Sequence, residues 1–235
     1  MTVSMKRIYA IFQKDLKDLS KNLFVSSIVI LPVLMAFMYS RMGDILDLHY
    51  LIINLTLASV TAFIQCAVIA EEKEKHTLRG LMLSPATLPE ILTGKSLVSL
   101  ILTIVTLVVC MMITGYEPAN LVLISFVILL SCLFYLALGT LLGLLTKTVV
   151  EASVVILPFM FLFGFGSMLK PLVDDYAILG FVEYLPNTQL VELAYKIESG
   201  LGFGSLWSHL AIILTWVIVA TILTIFVYRK REMDD

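Results

Sequence analysis

Gly94-Lys95-Ser96 carries the residue types that close a phosphate-binding loop, where a lysine reaches phosphate oxygens and a hydroxyl holds Mg. The opening glycine of that motif would fall at position 89, which is proline, and no strand-like run precedes it. The chain is therefore expected not to bind ATP itself. His49, His76 and His209 are too far apart for zinc-ligand spacing. Neither Gly-x-Ser-x-Gly nor His-Glu-x-x-His occurs. Cys66, Cys110 and Cys132 all fall inside apolar runs and read as small buried hydrophobes, without disulfide or metal spacing. There is no basic patch for nucleic acid. These residues point away from an enzyme and away from a metal or cofactor bound by this chain.

Two polar constellations remain. The first is the charged run Glu71-Glu72-Lys73-Glu74-Lys75, followed by His76, Thr77 and Leu78 and ending at Ser84-Pro85. Leu78, Leu81 and Met82 form one apolar edge at i, i+3, i+4, next to the charges. A charge run is usually a solvated face, but an apolar edge beside it calls for a partner. Proline at 85 ends that short helix. Thr87-Leu88-Pro89-Glu90 then has the pattern of a capping box and starts a new helix. The second constellation is Asn54, Ala58, Thr61 and Gln65, which share a narrow arc of one apolar helix, with Glu72 continuing it. Polar side chains at such depth face another helix or a water-filled path.

The elements that hold these residues are membrane helices. The chain has 60% hydrophobic and 14% charged residues, with mean hydropathy +0.99. A spanning helix needs about 20 apolar residues. Six runs qualify: 23–40, 50–70, 97–114, 121–145, 149–168 and 206–228. They are continuous rather than alternating, which disfavours a barrel. With both termini in the cytoplasm, all lysines and arginines fall on the inner side except Arg41, Lys170 and Lys196. The expected fold is thus all-α and integral to the membrane, as one six-span domain over 23–235 after an amphipathic interfacial helix over 1–22. On that helix Met5, Ile8, Tyr9, Phe12, Leu16 and Leu19 share one arc, and Lys6, Arg7, Lys14, Lys17 and Lys21 the other. An external helical segment is expected over 169–204, with Asn187 capping a helix closed by Gly200. Gly139-x-x-x-Gly143 is a close-packing pattern on the fourth span.

Glu-Lys-Glu-Lys-His-Thr-Leu-Arg (72–79), Leu-Ser-Pro (83–85), Glu90-Ile91-Leu92 and Gly94-Lys95 together resemble the signature after the second span of ABC-2-type exporter permeases. The resemblance extends in architecture over nearly the whole chain. It implies the transmembrane subunit of a bacterial ATP-driven exporter in the cell membrane. The partners implied are two copies of a separate ABC ATPase, which would carry ATP and Mg, and a second permease subunit, identical or paralogous. It makes segment 71–87 the coupling segment that docks on the ATPase, through Glu72, Glu74, Lys75, Thr77, Leu78, Leu81 and Met82. Sparsely polar spans suit an amphiphilic or hydrophobic cargo, such as an antimicrobial or cytolytic peptide or a drug. For the cargo path the candidates are Asn54, Thr61 and Gln65, with Phe161 and Phe163 of the fifth span facing them across a dimer axis. Simple helix packing is the competing reading of that polar line. A secondary carrier or channel working without ATP is the alternative class, disfavoured because the apolar runs lack mid-span carboxylates.

Overall fold

The computed structural model describes residues 4–23, 27–75, 87–173, 175–200 and 203–234. Among them every regular element is helical. Helix α1 is Met5–Lys21 and α2 is Ile30–Tyr39. Helix α3 runs from Leu46 to Glu74. Next come α4 (Leu88–Thr114), α5 (Leu121–Leu145), α6 (Val149–Val155), α7 (Leu157–Phe165), α8 (Pro186–Glu198) and α9 (Trp207–Asp234).

Four helices are long and apolar enough to cross a membrane: Leu46–Glu74, Glu90–Thr114, Leu121–Leu145 and Trp207–Lys230. A fifth crossing is available if Val149–Val155 and Leu157–Leu172, bent by 41°, act together. The bend sits at Ile156 and Pro158, where a missing N–H interrupts the ladder. The expected first span is represented by α2, whose ten residues cover only about 15 Å. Residues 24–26 of that run lie outside the described set.

Helix α3 is the centre of the bundle. Its apolar window is 100% buried, against 33% for α4 and 17% for α9, which turn leucine, isoleucine and valine faces outward. Thr56 and Ser59 return their hydroxyls to the carbonyls of Ile52 and Leu55, so that neither is an unpaired group in an apolar core. Leu57–Phe63, within the same helix, is wound as a π-helix, a rare widening found often at functional sites. Helix α5 lies along α3 and α9, α7 packs on the N-terminal half of α3, and α1 lies on α4.

Helix α8 departs from the expectation for the external segment. Its cap residue is Leu185, and Asn187 sits inside the first turn. The Asn187 amide donates instead to the carbonyl of Leu162 at 3.3 Å, while Asn54 donates to the Asn187 carbonyl at 3.3 Å. These bonds and the buried Leu190, Leu193, Ala194 and Ile197 draw the helix into the bundle rather than along its surface. Gly200, at φ +71°, ends it as expected.

Gly139 and Gly143 pack within this one chain. A Cβ on Gly143 would stand 2.7 Å from the Cys66 carbonyl oxygen and 2.7 Å from Ile69 Cβ, and one on Gly139 would strike the Ala62 carbonyl. The pair is what lets α5 lie directly on the backbone of α3. Since the α3 backbone cannot yield cheaply, Gly143→Ala should destabilise the chain by about 1–3 kcal/mol. Thermal unfolding of the purified variant measures this. An unchanged midpoint would mean that the glycine face is open to a partner instead.

Candidate functional site

The site forms where the charged run at the end of α3 meets its neighbours, and nearly every charge in the run is used by a different element. The Glu72 carboxylate is 4% exposed and accepts from Lys95 Nζ of α4 at 3.0 Å. Lys95, 0% exposed, also donates to both Asp15 oxygens of α1 at 3.2 and 3.3 Å. Lys14 of α1 closes the set with its own ion pair to Glu72. Two ammonium groups thus face two carboxylates where α1, α3 and α4 converge. Desolvation by burial raises the Asp15 pKa above the usual carboxylate range, against the pull of Lys95. A raised carboxyl favours the folded state at low pH, and that contribution fades as pH climbs through the raised value.

The remaining residues of the run reach the far side. Lys73 donates to the carbonyls of Leu144, at 2.6 Å, and of Thr146. A cation there meets the negative end of the α5 dipole. Glu74 accepts from the Val149 amide at 2.8 Å, placing an anion at the N-terminus of α6. Glu71 pairs with Lys75 at 2.7 Å, and Lys75 lies 3.7 Å from Asp18 of α1. The Glu71 hydrogen bond holds the Lys75 pKa above its ordinary value.

Across from this run, Glu90 belongs to two helix starts. Its carboxylate accepts from the Thr87 amide at 2.7 Å, as the capping pattern predicts. It also accepts from the Ser4 amide of α1 at 2.6 Å, with Arg7 3.5 Å away. The positions just before and just after 76–86 are therefore both bound to α1. Gly94 makes the approach possible, because a Cβ there would stand 2.9 Å from Ile11 of α1. The remaining apolar residues of α1, Met5, Tyr9 and Leu16, stay exposed on its outward face.

Above the charges, α3 and α4 are joined by a polar ladder. Ser99 donates to Gln65 Oε1 at 2.9 Å, and the Gln65 amide donates to Thr140 of α5 at 2.9 Å. The Thr61 and Thr103 hydroxyls are 2.8 Å apart. Asn54, Thr61 and Gln65 are each 0% exposed, so the polar line faces the interior of this chain's own bundle. The aromatic pair divides. Phe163 is 3% exposed within a cluster of Phe134, Tyr135 and Trp216, and Phe161 is 63% exposed. Spans two and five meet inside one chain, where α7 packs against α3.

Of the residues expected to dock a partner, Glu72 is turned inward and consumed by Lys95 and Lys14, because a buried carboxylate requires a cation. Glu74 and Lys75 are exposed at the rim. Thr77, Leu78, Leu81 and Met82 lie outside the described residues. Asp15, and Lys95 as its ion-pair partner, had no assigned role in the sequence reading. The sign was Asp15 itself, a carboxylate in register with Ile8, Ile11 and Leu19.

A family model described as "ABC-2 family transporter protein" matches residues 46–227. The chain belongs to this family. No curated protein matches it. As an ABC-2 permease, the protein is a multi-pass transmembrane component of an ABC transporter and partners an ABC ATPase. The match begins at Leu46, so the α3 and α4 charges of the site lie inside it, and those of α1 lie before it.

The charge balance has a measurable consequence. Lys95→Met leaves Asp15 and Glu72 facing each other with Lys14 to offset them, and should cost about 3–5 kcal/mol of stability. Adding Asp15→Asn restores one cation to one anion and should recover much of that loss. Unfolding midpoints of the single and double variants form the cycle. Simple additivity of the two losses would deny that the groups act as one cluster.

Proposed function

We propose that this permease is the membrane subunit of an ATP-driven exporter of amphiphilic or hydrophobic cargo, with segment 71–87 docking on a separate ATPase. Export would require two ATPase copies and a second permease, with six spans each and both termini in the cytoplasm of a bacterial cell. The observation that carries this reading is the attachment of the run Glu71–Lys75 to α1, α4, α5 and α6 at once. A push on the adjoining segment would reach the inner ends of all these helices together. The composition of the spans supports an amphiphilic cargo, and a peptide or a drug fits it equally.

In this reading Asn54, Thr61 and Gln65 hold the moving helices together and would meet cargo only if the ladder opened. Exposed Phe161 is the better candidate for a wall of the path. Docking itself falls to Leu78, Leu81 and Met82, with Glu74, Lys75 and Thr77 at the edge.

Leu81→Glu should abolish co-purification with the ATPase while leaving membrane insertion intact. An unpaired charge buried at an interface costs roughly 2–5 kcal/mol. Pull-down and ATPase stimulation on the same preparation check this. Normal association with normal stimulation would remove the segment from the interface.

A further inference from the structure

A second polar site lies at the opposite end of the bundle. Between the start of α3, the turn Gly166–Leu172 and α8 is a cavity of about 370 Å³, within the range of small-molecule pockets. Its walls are apolar where Leu48, Leu51 and Val191 line it. Its mouth is charged, with Asp47 and Lys170 exposed at the rim.

The charges do not cancel. Lys170 forms an ion pair with Glu192 on the same wall. Asp47 has no cation within ion-pair distance among the described residues, and it stands near the Tyr195 phenol on the cavity wall. Desolvation by burial and the neighbouring Asp47 push the Tyr195 phenol up to about 12, so at neutral pH it stays uncharged. Thr188 also lines the cavity. It is 1% exposed, and its hydroxyl oxygen has no hydrogen-bond partner. A buried hydroxyl left so is uncommon, since such groups are nearly always paired. The pocket therefore offers one carboxylate without a cation, one unused hydroxyl and an apolar floor.

We propose that this cavity binds the primary ammonium of an amphiphile, with Asp47 and Thr188 taking the head and Leu48, Leu51 and Val191 the apolar body. An anion would meet the unneutralised Asp47, and a fully polar solute would leave the apolar floor without contacts. The site stands apart from the export reading, because occupancy needs neither ATP nor movement of cargo. The chemistry fits a free alkylamine or the head group of an aminolipid.

The test uses the full-length chain in phosphatidylcholine nanodiscs, a lipid without a primary amine. An eight-carbon alkylamine bearing a diazirine is photo-crosslinked, beside the alcohol of the same length, and the labelled peptides are mapped. The amine should label 47–51 and 188–195 about tenfold more than the alcohol, the low end of what a charge-assisted hydrogen bond contributes. Octylamine should compete and octanol should not. Asp47→Asn, at an exposed position and so neutral for folding, should bring the two probes level. Thr188→Val should weaken the amine signal. If added phosphatidylethanolamine competes, the resident ligand is an aminolipid; if it does not, the site takes free amphiphiles. Equal labelling by both probes in the parent, labelling confined to other segments, or an unchanged ratio in Asp47→Asn would each overturn the proposal.

Discussion

Lys95 is a full charge with no exposed surface, and that one fact constrains the half of the molecule where α1, α3 and α4 converge. A buried ammonium is tolerated only when carboxylates stand within hydrogen-bond distance and their own charges are balanced in turn. Asp15 and Glu72 meet the first requirement and Lys14 the second. Each member comes from a different helix or a different face, so α1, α3 and α4 cannot shift separately without exposing a bare charge to an apolar interior. Ile11 on Gly94 and Ser4 on Glu90 are consequences of the same alignment, since they bring α1 close enough for Asp15 to reach Lys95.

The two ends of the bundle are built differently. At the end where α1 packs, the polar groups are ionic, and α5 and α6 are tied in through their terminal dipoles by Lys73 and Glu74. At the opposite end, apart from the Lys170–Glu192 ion pair, the links are neutral or singly charged. The Tyr116 hydroxyl donates to Glu198 at 2.9 Å and lies 3.3 Å from the Tyr50 hydroxyl, and His49 stacks on Tyr116 at 4.7 Å. Buried atoms without partners gather there as well, at His49, Asn54, Asn187 and Thr188. Satisfied ions fix geometry, whereas unsatisfied dipoles gain by rearranging or by taking a ligand.

The membrane helices were legible because an apolar run of bilayer length has few other uses, and the capping pattern at Thr87–Glu90 was legible because it is local. The polar arc of α3 was visible in the same way, but its direction was not. Lys95, Ser99 and Thr103 repeat at i+4 on α4, and only their placement opposite Glu72, Gln65 and Thr61 turns two stripes into one ladder. Asp15 could have been found as a carboxylate among apolar positions. The bonds of Lys73 and Glu74 to the ends of α5 and α6 could not, because they join residues some seventy positions apart through the bundle's tertiary arrangement. The charge run looked like a docking surface for the same reason: sequence shows that charges are present, and burial decides whether they face a partner or the chain itself.

The energetic order of these links bears on where the permease can change shape. Interhelical hydrogen bonds in a membrane average about 0.6 kcal/mol and reach about 1.7. Breaking a buried ion pair costs about 3–5 kcal/mol. The ladder of Thr61, Gln65, Ser99 and Thr103 is therefore the weaker joint, and its hydroxyls can fall back on their own helix, as Thr103 already does with the Ser99 carbonyl at 2.7 Å. The ionic base has no such alternative partner within one helix. Separation of α3 from α4 is accordingly cheapest above the charges, in the stretch where α3 is already widened at Leu57–Phe63. The ionic base is thus the stronger of the two joints between α3 and α4, and it lies at the end of α3 that adjoins residues 76–86.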